Sequence, residues 1–322
     1  MTAPRSRSTT RLAPSPTGAL HLGNARTFLC AWALARSRGW RVLLRIEDLD
    51  TPRTKPGAVE QAIGLLRWLG MDWDEGPVTQ SDDLGPYREA MARLAFAGRV
   101  YPCALTRAEV DAAMSAPHEG DERVSRASAA TRPAAVPRVF DDAGTNWRFV
   151  VEPGVVRFED RFSGPHAIDV AGEAGDFVVW TKRGQPAYQL AVVVDDARQG
   201  VSEVVRGDDL LGSAARQRLL WRALGFGDPP AQTHLPLVRG EDGRRLAKRH
   251  GDTRLAAYRE AGVPADAVVG LVAHWSGLLE APEPMTARAF CEGFGLDTMP
   301  RADVTFTAEH DEWLRSQVSG GV

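Results

Sequence analysis

Residues 10–46 read TRLAPSPTGALHLGNARTFLCAWALARSRGWRVLLRI, and they decide the fold. From Asn24 to about Ser37 the spacing is helical: Ala25, Phe28, Leu29 and Trp32 fall at i, i+3, i+4 and i+7 and would face a core. Gly39 ends the helix. Arg41–Ile46 (RVLLRI) is short, apolar and bounded by turn signals, the pattern of a buried strand. Ahead of the helix, Thr10–Ala13 leads into a loop, PSPTGALHLGN, punctuated by Pro and Gly. Strand, loop, helix and strand in this order make the βαβ unit of a parallel sheet, so the fold class is α/β.

Working outward, helices are expected at about 56–69, 86–98 and 212–224. Residues 115–138 are rich in Ser, Ala, Pro and Arg and read as a flexible loop in an inserted segment. Several short β-like runs follow from Trp147 to Val179, suggesting a small mixed insertion. Leu190–Val194 (LAVVV) reads as a second buried strand and Val201–Val205 as a third. Beyond Asp252 the pattern is helical: Pro264 suits a helix start, and Val268, Leu271, Val272, Trp275 and Leu279 form one apolar stripe.

The 322 residues suit two or three domains, and 43% apolar with 25% charged residues is the balance of a folded protein. No run of 18 apolar residues occurs, which argues against a membrane-spanning helix, and the polar start MTAPRSRSTT is no secretory signal. Three widely spaced cysteines, at 30, 103 and 291, make a disulfide framework unexpected and the cytoplasm the expected compartment. The net charge of −3 does not advertise nucleic-acid binding, but residues 1–46 hold eight Arg and no acid. Only Lys55, Lys182 and Lys248 are lysines, so each marks a place for a compact ammonium rather than a planar fork.

The chemistry-bearing residues sit at strand ends. In an open α/β sheet, ligands bind beyond the carboxyl ends of the strands, and a helix N-terminus offers N–H groups and a positive dipole end to phosphate. Gly18 and Gly23 would let the backbone approach closely, and His21 could donate to a phosphoryl oxygen as charge builds there. Glu47, the first acid, can bind an ammonium group; alone it reads equally as a capping or solvated acid. Arg206 follows an apolar run and suits bidentate capture of a carboxylate, or else a local ion-pair network.

The loop Arg11–Asn24 resembles the HIGH-type signature of class I aminoacyl-tRNA synthetases in its glutamyl-branch spelling, with His21-Leu-Gly-Asn24 in the four signature positions. Arg45-Ile-Glu-Asp-Leu-Asp50, Ala187-Tyr-Gln-Leu-Ala-Val-Val-Val-Asp-Asp196 and Glu203-Val-Val-Arg-Gly-Asp-Asp-Leu210 carry the resemblance on. Arg245-Leu-Ala-Lys-Arg249 resembles a degenerate KMSKS loop, with Lys248 at the second, catalytic Lys.

The resemblance implies a Rossmann-like catalytic domain (10–100 and 187–252) with a parallel sheet. It also implies an inserted α+β, acceptor-type subdomain (101–186) and a helical, stem-contact-like C-terminal subdomain (253–322). Residues 1–9 would be a disordered tail, and no anticodon-binding domain is expected. That short plan, and the run Leu190–Val201, look closest to the glutamyl-Q tRNA(Asp) synthetases.

His21 and Lys248 are then the expected catalytic residues. Arg11, Ser15, Glu47, Tyr188 and Arg206 would line a glutamate pocket; which Arg takes which carboxylate stays open. Thr17, Gly18, His21, Gly23, Asn24 and Lys248 would contact the nucleotide. The implied partners are L-glutamate, ATP with Mg²⁺, and tRNA(Asp) carrying queuosine, with the enzyme a monomer that needs no membrane. The alternatives are a truncated glutamyl-tRNA synthetase charging the tRNA 3′ end and an inactive glutamate- or RNA-binding paralogue. Family members carry a zinc site in the insertion, built from a Cys-x-Cys pair, a Tyr and a further Cys. Here the pair reads Tyr101-Pro-Cys103 and the next Cys is Cys291. His118 is the substitute at hand, but one Cys and one His do not make a four-ligand site. No zinc is expected, and Cys103 reads as a small buried hydrophobe.

Overall fold

The computed structural model describes residues 7–50, 54–105, 108–109, 114, 132–133, 135–142, 144–244, 246 and 253–318. In chain order the first elements are β1 (Thr9–Leu12), α1 (Leu22–Ser37), β2 (Arg41–Ile46), α2 (Ala58–Trp68), β3 (Glu75–Thr79), α3 (Gly85–Phe96) and β4 (Val100–Cys103). Then come β5 (Asn146–Phe149), β6 (Val156–Asp160), β7 (Gly164–Ile168), α4 (Val170–Glu173), β8 (Phe177–Thr181), β9 (Gln185–Pro186) and α5 (Tyr188–Arg198). The last are β10 (Glu203–Gly207), α6 (Leu211–Leu224), β11 (Ala231–Leu235), β12 (Val238–Arg239), α7 (Leu255–Glu260), α8 (Ala265–Trp275), α9 (Ala287–Gly293), β13 (Val304–Thr305) and α10 (Ala308–Ser316).

Two compact units form. One takes Met1–Val78, Glu203–Asp208 and Leu235–Val322; the other takes Thr79–Ser202 and Asp209–His234. In the first, β1 and β2 pair in parallel with Arg11 opposite Leu43, and β3 joins the other side of β2. The helix α1 crosses between β1 and β2 and packs on both, on β10, and on α8 and α9. Strand β10 lies alongside β1. Buried Leu22, Ala25, Leu29, Cys30, Trp32 and Leu34 of α1 fill this core. Phe28 is only half-buried, because the covered arc of the helix is centred elsewhere than the apolar spacing suggests.

The second unit contains residues 101–186 together with the helices on either side. Its antiparallel sheet runs β4-β5-β8-β9, and β6 pairs antiparallel with β7 and parallel with β11.

Three expectations need correction. Leu190–Val194 is not a strand but the middle of α5, where Ala191 N–H donates to Ala187 O at 3.0 Å. All five residues are buried, because α5 packs against α3, α6 and β8. A helix covered all round shows no polar face, so its apolar run looks like a buried strand. Ser8 and Thr9, expected in a disordered tail, belong to the fold: Ser8 O accepts from Arg41 N at 2.8 Å and Thr9 opens β1. The apolar stripe of α8 stops at Trp275, leaving Leu279 beyond the helix and half-buried. Most of the loop expected at 115–138 lies outside the described residues.

Candidate active site

The first turn of α1 is built around His21. It is the N-cap, with extended φ/ψ of −121° and 174°. Gly23 N–H donates to His21 Nδ1 at 3.1 Å, and His21 N–H donates to Asn24 Oδ1 at 3.0 Å. This reciprocal capping box locks both side chains. It also sets the tautomer. With Nδ1 accepting, the neutral ring carries its proton on Nε2, so the ring presents an N–H donor on the side away from the helix turn. Gly23 leaves little room: a Cβ there would lie 3.1 Å from both Cε1 and Nδ1 of His21. Around Gly18 no atom of the described residues lies within 4 Å of where a Cβ would be.

Backbone pairing ties this turn to the chain after the basic segment. Leu22 N–H donates to Thr253 O at 3.2 Å, Leu255 N–H donates to Leu20 O at 2.9 Å, and His21 bridges Arg254. Leu246 is buried. Lys248 itself, with Arg245, Ala247 and Arg249, lies outside the described residues, as does His118.

Arg11 and Arg206 are both buried, with exposures of 6% and 5%, on the neighbouring strands β1 and β10. Glu47 follows β2, and its N–H donates to Pro14 O at 3.1 Å, which fixes the acid beside the loop holding Ser15 and Thr17. The Glu47 carboxylate accepts from Arg45 Nη2 at 3.2 Å, and the Arg45 side chain is 0% exposed. Glu47 is thus neither a helix cap nor a fully solvated acid, but a carboxylate oriented by a buried cation. Arg11, Ser15, Thr17, Gly18, His21, Gly23, Asn24, Glu47 and Arg206 therefore share one compact unit. Tyr188 belongs to the other, as the buried first residue of α5.

Cys103 is half-buried at the end of β4, beside Arg148, rather than a fully buried hydrophobe. Burial pushes its thiol above the ordinary value, although Arg148 pulls it down. A guanidinium against the thiol opposes a divalent cation, and Tyr101 Oη is already donating to Asp176 at 2.9 Å. Tyr101 and Cys103 therefore do not fit a zinc site. Among the described residues no three His, Cys, Asp or Glu side chains are gathered to hold a metal.

Two residues escaped the sequence reading. Arg45 carried a faint signal, since positions two apart on a strand share a face. Arg26, on α1, is 2% exposed and donates to Pro236 O at 2.6 Å and Trp275 O at 3.1 Å. Its partners are distant backbone carbonyls, which leave no mark in a sequence.

A family model described as "tRNA synthetases class I (E and Q), catalytic domain" matches residues 8–294. A "Glutamyl-Q tRNA(Asp) synthetase" of Symbiobacterium thermophilum is 47% identical over 311 residues, covering 93% of this chain and 96% of that one. One of Rhodopirellula baltica, with the same name, is 50% identical over 279 residues, covering 83% and 84%. The crystal structure of a glutamate-tRNA synthetase from Elizabethkingia anophelis superposes with a TM-score of 0.76 at 26% identity, covering 96% of this chain and 70% of that one. The α/β fold read from the sequence converges with these matches: the chain belongs to the glutamyl-Q tRNA(Asp) synthetase family, within the class I (E and Q) tRNA synthetases.

Proposed function

We propose that this enzyme activates L-glutamate with ATP, without needing tRNA, and transfers it to the queuosine base at the wobble position of tRNA(Asp). The observation that carries the reading is the nearly end-to-end match to glutamyl-Q tRNA(Asp) synthetases, 96% of one relative's length. In the first step a glutamate α-carboxylate oxygen attacks the α-phosphorus, the α–β bridging P–O bond breaks, and pyrophosphate leaves. In the second, a hydroxyl of the queuosine ring attacks the acyl carbon and AMP leaves.

The site supports assigned roles. His21 Nε2–H donates to a phosphoryl oxygen as charge develops there, at the positive end of α1. Its capping hydrogen bond holds the tautomer through the reaction, so no reorganisation is needed. Arg11 and Arg206 pair with the two substrate carboxylates, which suits a dicarboxylic amino acid. Glu47, oriented by Arg45, takes the α-ammonium, and Ser15 lines the same pocket. Lys248 neutralises charge on the α-phosphate and the departing pyrophosphate. Mg²⁺ accompanies ATP and neutralises its phosphates.

The test is incubation with labelled glutamate, ATP and tRNA(Asp), with and without queuosine. Label is expected only on the modified tRNA, and prior periodate oxidation of the queuosine diol should abolish it. Equal labelling of unmodified tRNA at the 3′ end would favour a glutamate-tRNA synthetase instead. Absence of glutamate-dependent ATP–pyrophosphate exchange would favour an inactive paralogue.

A further inference from the structure

We propose that Arg26 is a positioning residue for adenylate formation, holding the first turn of α1, and with it His21, in register with β12. The proposal deepens the function above, because it rests on His21 acting as a phosphate donor. Arg26 lies two residues beyond Asn24, the end of the capping box that His21 opens. Its guanidinium is sequestered, and its two terminal nitrogens reach separate segments. One donates to Pro236 O, two residues ahead of β12; the other donates to Trp275 O, at the last residue of α8. Pro has no N–H, so the Pro236 carbonyl is that residue's only backbone hydrogen-bonding group. The carbonyls of a last helical turn likewise lack donors within their helix. Arg26 supplies both from a single fork, which a Lys cannot do.

The strand it grips is itself held. Leu237 N–H donates to Asp303 Oδ1 at 2.8 Å, and Arg239 pairs with the same carboxylate. Gly23 packs close to that strand as well: a Cβ at 23 would be 3.7 Å from Val238 Cβ. The start of α1 therefore meets the chain at β12 at two points, Gly23 beside Val238 and the Arg26 guanidinium on Pro236 O just ahead of the strand. A buried Arg is a costly way to fill a core. Among the described residues Arg26 Nε has no hydrogen-bond partner, and burial lowers the guanidinium pKa although Cys30, Asp303 and Asp208 nearby act to raise it. An apolar side chain would serve packing alone at lower cost. What the Arg adds is direction, a fixed rotation of α1 about its own axis, and hence a fixed place for the His21 Nε2–H.

The experiment compares Arg26→Met, which keeps the stem and deletes the donors, with Arg26→Lys, which keeps the charge and a single donor group. Glutamate-dependent ATP–pyrophosphate exchange is measured per folded molecule, well below each melting transition. For Arg26→Met kcat is expected to fall about tenfold or more, since sub-ångström misplacement of a reacting group carries such penalties. KM for glutamate is expected to stay within about twofold of the parent value, because the pocket arginines on β1 and β10 do not lean on Arg26. Arg26→Lys should recover part of kcat. The proposal is overturned if Arg26→Met keeps the parent kcat, or if KM rises while kcat stands. Should Arg26→Met fail to fold, Arg26→Lys decides: a reduced kcat at unchanged KM supports the proposal, and the parent kcat overturns it. A parent enzyme without exchange would instead defeat the proposed function.

Discussion

Gly23→Ala should separate the geometry of the site from the stability of the protein. The added methyl would sit 3.1 Å from His21 Cε1 and Nδ1, so the ring must give way by a few tenths of an ångström. Two stability effects oppose each other. Ala is the better helix former by up to about 1 kcal/mol, and less in a first turn. Straining the Gly23 N–H to Nδ1 hydrogen bond costs about 0.5–1.5 kcal/mol. The net change should stay within about 1 kcal/mol, a shift in Tm of roughly 1–2 °C for a chain of 322 residues. Catalysis has no such compensation. Removing one preorganised donor to a developing oxyanion costs about 10²–10³ in rate, and a displaced donor loses part of that. Glutamate-dependent exchange should therefore drop by about one to two orders of magnitude at nearly constant Tm. Exchange within about twofold of the parent enzyme would show that the His21 ring has no part in the reacting geometry. A collapse of Tm would show that the packing around the capping turn had been misjudged.

Lys248→Ala should cut adenylate formation by orders of magnitude while leaving glutamate binding intact, as expected for charge neutralisation on a leaving group; exchange comparable to the parent would remove that role. Arg206→Ala should raise KM for glutamate about tenfold or more, because a buried carboxylate loses its charged partner; an unchanged KM would take Arg206 out of the pocket. Asp176, 1% exposed, accepts from Tyr101 Oη at 2.9 Å, Arg132 Nε at 2.6 Å and Val151 N–H at 2.8 Å. Asp176→Asn should destabilise by about 3 kcal/mol in urea unfolding, since it strands a partly buried guanidinium, and a loss below about 1 kcal/mol would show that these contacts hold little together. Asp160 is held well below the usual carboxylate range: burial works against its charge, but His234 at 2.7 Å and the N–H groups of Ser163 and Phe162 outweigh it. A depressed folded pKa gives stability that is present above the unfolded value of about 3.9 and lost as pH falls. The Tm gap between parent and Asp160→Asn should therefore shrink steadily from about pH 5 to pH 3, and a gap that widens toward acid would reverse the assignment.

The βαβ start was legible because its two periods differ. Residues 25–32 repeat like a helix and 41–46 run apolar like a buried strand, and both became α1 and β2. The run at 190–194 was not legible, since a fully covered helix and a fully covered strand give the same apolar string. Glu47 could be flagged but not oriented: its partner Arg45 is two residues away, and only sheet formation puts both on one side. Tyr188 entered by motif, yet motif says nothing about compact units, and it sits in the other one. Arg26 was silent for a different reason. Its acceptors are main-chain oxygens 210 and 249 residues away. A side chain that answers to backbone rather than to other side chains leaves no pattern of residue types to read.

His21 is a poor choice if capping α1 were its only task. Ser, Thr, Asp or Asn accept a first-turn N–H better and leave less bulk at the helix start. Ser, Thr and Asp have no side-chain N–H to offer while they accept, and Asn cannot place its amide donor opposite its acceptor. An imidazole can, because its two nitrogens lie on opposite sides of one ring. The Gly23 N–H claims Nδ1, and the proton is thereby confined to Nε2, at the positive end of the helix. Asn24 closes the box from the other side by accepting from His21 N–H, so the ring's backbone is fixed as well as its tautomer. The spacing His-x-Gly-Asn is thus one device read at two levels. As local structure it is a capping box in which a Cβ at position 23 would press on the ring from 3.1 Å. In the role proposed for His21, it would be a donor whose proton is assigned by the fold before substrate arrives, so nothing would have to be reorganised when charge builds on the phosphate.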